Sequence, residues 1–212
     1  MTHQNVYAQN VVTSATPNPF MPTPDAIDEE FTQAANDVLK NAVELVRDLI
    51  GAHQSAIAIV INNDWQYVRK FFSLSEKYRA WADYKTPAVG YGTHAWLLEH
   101  NALVRYTQAE LEAHPAWHNF GTERDKHPPM RGWIAAPIID RNGKNWGLIQ
   151  LSDKYEAGGA EVDFDADDEE RFSQFTALVS QTLGALWDVR NLKKRAAQHG
   201  LTPSNNQNLT SD

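Results

Sequence analysis

The chain has 212 residues, 42% of them hydrophobic and 10% aromatic, so it can bury a core, and 19 basic against 27 acidic side chains leave a formal charge of −8. That balance shows no basic stripe to neutralise nucleic-acid phosphates, and no apolar run reaches the ~18 residues a bilayer span needs, the longest being 133–139. Cysteine is absent, which rules out disulfides, thiol catalysis, thiolate-held metal or iron–sulfur centres and thioether-tethered cofactors; a soluble cytoplasmic protein is expected, with neither a nucleic-acid nor a membrane partner.

Residues 1–25, rich in Asn and Thr with Pro17, Pro19, Pro22 and Pro24, bury too little to fold alone and are predicted as a disordered arm. Residues 26–197 are predicted as the folded domain, and 198–212, mostly polar, as a disordered tail. Asp25 offers a cap for a long first helix. Its seam runs Phe31, Ala35, Val38, Ala42, Leu45 and Leu49, widened by Leu39, Val46 and Ile50 and stopped by Gly51. Ala56–Ile61 then reads as a buried strand, with 66–72 returning beside it.

A mixed aromatic connection over 75–87 leads through Gly90 and Gly92 to a short helix at 93–100. Next come a short strand at 104–106 and a capping box from Thr107 to Glu110 that opens another helix. A loop over 117–130 precedes a strand at 131–140, Asn142–Gly143 marks a hairpin, and 146–153 returns. Asp165 or Asp167 caps the last helix, whose inner face is Phe172, Phe175, Val179, Leu183, Leu186 and Val189. Hairpins outnumber crossovers. The order predicts an α+β fold: an antiparallel sheet with N- and C-terminal helices packed on one face and a helix and loop insertion over the other.

The stretch from Arg131 through Lys154, RGWIAAPIIDRNGKNWGLIQLSDK, followed by Phe164 and an acidic helix start, resembles the C-terminal half of GAF sensor domains. The segments 111–117 and 127–131 resemble the form found in bacterial multi-sensor histidine kinases. Such a resemblance implies a cytoplasmic regulatory module with an antiparallel sheet of five or six strands, often dimeric, that senses a small molecule non-covalently, with a histidine kinase or another signalling protein as its partner. It also implies a structural clasp between Lys154 and Asp168. The position before that lysine holds Asp153 in place of the family's Asn, an added carboxylate that would repel a phosphate.

Alternation on the strand puts Arg131, Trp133 and Ala135 on one face. If that face meets the insertion, Arg131 supplies charge and Trp133 a stacking plane, joined by His94, Trp96, Trp117 and His118; the competing reading is that these rings fill a core. Arg105 beside Arg131 would make an anion clamp, or both would answer Glu99, Glu110 or Glu112 as ion pairs. Glu110, His114 and His118 recur every fourth residue, but Pro115 breaks the helix that a metal site would need, and the acidic run 163–170 lacks a calcium loop's glycine. No Gly-x-Ser-x-Gly elbow occurs, so an enzyme is not expected, no metal ligands are assigned and no cofactor is named by these residues. A sensor domain is therefore the leading reading, and a ligand-free dimerisation or scaffold module the alternative. A homodimer is expected through the second apolar edges of the terminal helices, with Leu39 on the first and Leu178 and Trp187 on the last.

Overall fold

A computed structural model describes residues 22–61, 64–81, 92–118, 127–128 and 130–199. The long helix α1 (Pro24–Ile50) leads into strands β1 (Ala52–Ile61) and β2 (Asp64–Leu74) and a 3-10 turn (Glu76–Trp81). Helix α2 (Gly92–His100), strand β3 (Val104–Thr107) and helix α3 (Gln108–Ala113) form the insertion. The chain then runs through β4 (Gly132–Ile139), β5 (Asn145–Tyr155), β6 (Glu161–Val162) and α4 (Ala166–Gln198). The arm and the tail lie outside the described residues.

The six-stranded sheet is antiparallel, ordered β2-β1-β5-β4-β3, with β6 on the end of β5. Helices α1 and α4 run antiparallel to each other on one face, and α2, α3 and the 3-10 turn lie on the other. Covering both faces explains β4: Gly132 through Ile138 are all buried, so the strand reads as one continuous apolar run. The core beneath the terminal helices joins Leu39, Val43, Val46 and Ile50 of α1 and Phe172, Phe175, Val179 and Leu183 of α4 to Ile57, Ile134, Ile138, Ile149 and Leu151 of the sheet.

Local chemistry sets the boundaries. Thr23, not Asp25, caps α1: its Oγ1 accepts the Ala26 N–H at 3.2 Å and Pro24 takes the first turn, where its missing N–H costs nothing. Gly51 closes the helix at φ 80, a left-handed conformation that suits glycine. The expected seam of α1 is rotated. Leu39, Val46 and Ile50 belong to the core, while Leu45 and Leu49 are 58% and 53% exposed, because the sheet selects the set spaced 39-43-46-50. Leu39 therefore cannot serve a partner. Val189 of α4 is likewise outside, at 49% exposure, because the last core residue of that helix is Leu183.

Candidate functional site

The pleat sends Trp133 and Ala135 of β4, Leu148, Gln150 and Ser152 of β5, and Gln54, Ala56 and Ala58 of β1 toward the insertion. Register puts Trp133 opposite Ser152 on one side and Tyr106 on the other, and Gln150 between Ala135 and Ala56. Helix α2 lowers His94 onto this surface. The His94 ring meets Trp133 edge-on at 5.6 Å, and its Nε2 bonds to Gln150 Oε1. Trp133 Nε1 donates to the same oxygen at 3.2 Å.

That shared contact fixes protons. An indole nitrogen can only donate, so the amide atom facing it is the oxygen, and His94 must also donate from Nε2, leaving Nδ1 as its acceptor. Burial, followed by the positive charge of Lys70, lowers the His94 pKa to about 4, so the ring is neutral at pH 7. Lys70, opposite Ala58 on β2, is itself pulled down by burial to about 8 and stays mostly charged at that pH. Gln54 is 1% exposed and its Nε2 has no partner. A buried donor left unpaired is costly.

Further rings continue outward. Tyr106 stacks on Trp133 at 6.4 Å and touches His114 at 5.6 Å, His114 meets Trp96 edge-on at 5.0 Å, and Trp96 stacks on His100 at 4.3 Å. Trp117 packs, partly buried, on the same cluster, and His118 is exposed. Of the sequence-derived candidates, His94, Trp96, Trp117 and Trp133 thus come together, but the two arginines do not join them. Arg131 ends outside the strand and holds Asp163 at 2.9 Å, half exposed. Arg105 pairs with Ile134, a residue of the helix-side core, so it points to that side and grips Glu169 at 2.9 Å and the Phe164 carbonyl at 3.0 Å. No anion clamp forms between them, nor do Glu99, Glu110 or Glu112 receive a salt bridge from either. Lys70, Gln150, Gln54 and Tyr106 were missed: a lysine or glutamine in a strand carries no mark of the face it will occupy.

Lys154 Nζ lies 2.6 Å from Asp168 and 2.9 Å from Asp165, and the Asp168 carboxylate, 2% exposed, also accepts the Asp165 N–H at 2.9 Å. Hydrogen bonding from the Asp168 N–H, then from Lys154, holds the Asp165 pKa down to about 2. Asp153 is not beside Gln150. At φ 56 it leaves the alternation, is fully buried, and accepts from Lys77 Nζ at 2.6 Å, Tyr78 OH at 3.0 Å and the Arg131 N–H at 2.5 Å. Its charge is met by Lys77 and does not face the ring cluster, so the repulsion expected of it is cancelled internally.

Pro115 does turn the chain: His114 Nδ1 accepts the Ala116 N–H at 3.1 Å, and among the described residues no three His, Asp or Glu side chains gather as metal ligands. A groove of about 980 Å³ lies on the opposite face of the sheet, between α4 and the β4–β5 hairpin, with Trp146, Thr176, Gly184 and Trp187 in its walls and none of the candidate ligand residues.

A six-stranded antiparallel sheet with terminal helices on one face, and insertion helices over a polar and aromatic cluster on the other, defines an α+β sandwich. The chain belongs to the GAF family, whose model matches residues 35–183; that family is known for signalling and small-molecule binding. No curated protein matches the chain. Among solved structures, it is similar to the GAF domain of a phosphoenolpyruvate-protein phosphotransferase from Coxiella burnetii, at 18% identity and TM-score 0.53, over 81% of this chain and 96% of that one. The corresponding Acinetobacter domain is 14% identical at TM-score 0.53, over 79% and 94%. Free methionine-R-sulfoxide reductase from Neisseria meningitidis is 13% identical at TM-score 0.51, over 82% and 99%. At these identities the likeness concerns the fold. No described helix is long and apolar enough to cross a membrane.

Proposed function

We propose that this chain is a cytoplasmic sensory domain that binds a small molecule non-covalently between the sheet and α2, and passes the change to a dimer partner and a signalling protein through its terminal helices. The observation that carries the reading is the polar cluster on an otherwise apolar sheet face: His94 and Trp133 converge on Gln150, with the unpartnered Gln54 amide on the same face. Burying the Gln54 amide nitrogen without a partner costs free energy that a hydrogen bond to a ligand would recover. With Lys70 charged and aromatic rings as walls, the face suits a planar molecule rich in acceptor atoms. A reductase role like that of the methionine sulfoxide neighbour finds no support, since thiol chemistry has no cysteine to run on here.

The competing scaffold reading draws on the packing of the same rings, Trp133 being 4% exposed. Thermal shifts with cyclic nucleotides, haem, amino acids and aromatic acids separate the two. A ligand at one hundred times its Kd stabilises by about 2.7 kcal/mol, and His94→Ala is expected to remove that shift. No shift with any class would leave the scaffold standing and the sensor overturned.

A further inference from the structure

The groove between α4 and the β4–β5 hairpin takes no part in the site on the insertion face, yet its walls suit an extended chain. Trp146 and Trp187 stand at one end, their ring centroids 6.4 Å apart. From there Gly184, Ser180, Ala177 and Ser173, all small, follow one another along a single side of α4. Gly184 lies in ordinary helical backbone, where glycine is costly, and nothing comes within 4 Å of the Cβ it lacks. Neither its φ nor a described neighbour requires glycine there. The open space beside it admits a chain that approaches the helix closely.

One segment matches this groove in position, length and chemistry. The first turns of α1 lie against the end of α4: Asp28 holds Arg190 and Lys194, and Phe31 meets Trp187 edge-on at 5.5 Å. Trp187 thus stands between the start of α1 and the groove, and residues 1–21, outside the described residues, join the chain about two helical turns from it. Phe20, four residues before Pro24, can reach about 12 Å, enough to lie against that ring. Pro17, Pro19 and Pro22 favour the polyproline conformation, which docks on aromatic walls because its fixed φ leaves little entropy to lose. From Pro17 back to Val12 is about 15 Å at the polyproline rise, the same as the ~15 Å of α4 from Trp187 to Ala177.

Charge agrees. From Met1 to Pro24 the sequence has no Asp, Glu, Lys or Arg, although the whole chain carries a formal charge of −8. The charged residues in the groove walls are answered locally: Arg141 pairs with Asp188, and Asp140 accepts the N–H groups of Asn142 and Lys144. Ser180 and Gln181 offer hydroxyl and amide groups to an extended backbone that has no ladder of its own. The tail 200–212 leaves α4 heading away from the groove and offers Leu201 and Leu209 but no aromatic ring.

We propose that residues 11–22 of the same chain form a strap over this groove, with Pro17, Pro19 and Phe20 against Trp187 and Trp146, and Val11 and Val12 beside Ser180 and Ala177. With the strap in place the groove is closed to any second chain.

Because the chain has no cysteine, a variant carrying both Val12→Cys and Ala177→Cys reports on the strap directly. Mild oxidation is expected to close a disulfide within one chain, seen as a faster-migrating monomer on a non-reducing gel. Val12→Cys with Leu178→Cys, one position along and 58% exposed on the outward side of α4, should give about tenfold less. In the otherwise unchanged chain, Gly184→Leu, whose added Cβ meets no described neighbour, should speed chymotryptic cleavage after Phe20 about tenfold while circular dichroism keeps its helical signal. Disulfides formed only between two chains would give the groove to a second copy's arm and overturn the strap. Equal disulfide yields for the Ala177→Cys and Leu178→Cys pairs, or cleavage after Phe20 at the same rate with and without Gly184→Leu, would overturn it as well.

Discussion

Asp168 shows why burial, more than distance, decides what an ion pair contributes. Its carboxylate is 2% exposed and holds both Lys154 and the N–H of the helix cap, whereas Arg131 and Asp163, also within hydrogen-bond distance at 2.9 Å, pair with about half of each side chain in water. Asp168→Ala is therefore expected to cost about 1–2 kcal/mol, as it takes the buried partner from Lys154, which keeps only the exposed Asp165, and strands an N-cap donor, while Arg131→Ala should cost under about 0.5 kcal/mol; urea denaturation reads both. Equal losses would contradict the burial argument. The node at Asp153 obeys the same rule, and Tyr78→Phe, which removes one of its three donors, is expected to cost about 1 kcal/mol by the same measurement. The resemblance to the family's motif at Lys154, Phe164 and Asp168 made the first pair legible. The second joins residues 75 positions apart, and no local pattern announces it.

At the scale of elements, the hairpins and helix caps follow from short stretches of sequence. Asp140 accepts the N–H groups of Asn142 and Lys144 across the Asn142–Gly143 turn, and Thr107 and Glu110 bond each other's backbone N–H. Pairing between distant strands depends on room. At Gly147, φ is 152 and an added Cβ would collide with the Ala58 carbonyl oxygen of the neighbouring strand. Gly147→Ala is expected to cost about 3 kcal/mol or more, seen as a lowered urea midpoint or insoluble expression, because rigid backbone rather than a flexible side chain must move. Gly143→Ala should be milder, since nothing lies within 4 Å of its Cβ and only its positive φ is penalised. The apolar face of α1 was legible as a stripe but not in its rotation: leucines at 39, 45 and 49 look alike until a sheet selects one.

For the whole molecule, two partly buried histidines link stability to pH. Loss of solvation is the first cause holding the pKa values of His94 and His127 near 4, against about 6.5 for an exposed imidazole. Between those limits the unfolded chain binds protons that the folded chain does not, so the stabilisation is complete above pH 6.5 and is lost as pH falls toward 4. A loss of about 1–3 kcal/mol across that window is expected in urea midpoints, after allowing for the rings' partial exposure, and His94→Gln with His127→Gln should flatten the slope. A midpoint independent of pH there would show that both rings protonate freely in the folded state.

By itself the sequence determined the class of fold, the Asn142–Gly143 hairpin and the capping box at Thr107, because each rests on short-range periodicity or on residues a few positions apart, and the motif over 131–154 pointed to the family. It also brought His94, Trp96, Trp117 and Trp133 together as candidates, since large rings at alternating or helical spacing mark a face. Tertiary structure alone decided which face each side chain took. It turned Arg105 and Arg131 toward the acidic start of α4, drew Lys70, Gln54 and Gln150 to the insertion side, and left Leu178, Val189 and Leu192 facing outward. The physical reason is that a strand residue changes face with a one-position shift in register, and the register of β1, β4 and β5 is set by cross-strand packing between segments far apart in the chain.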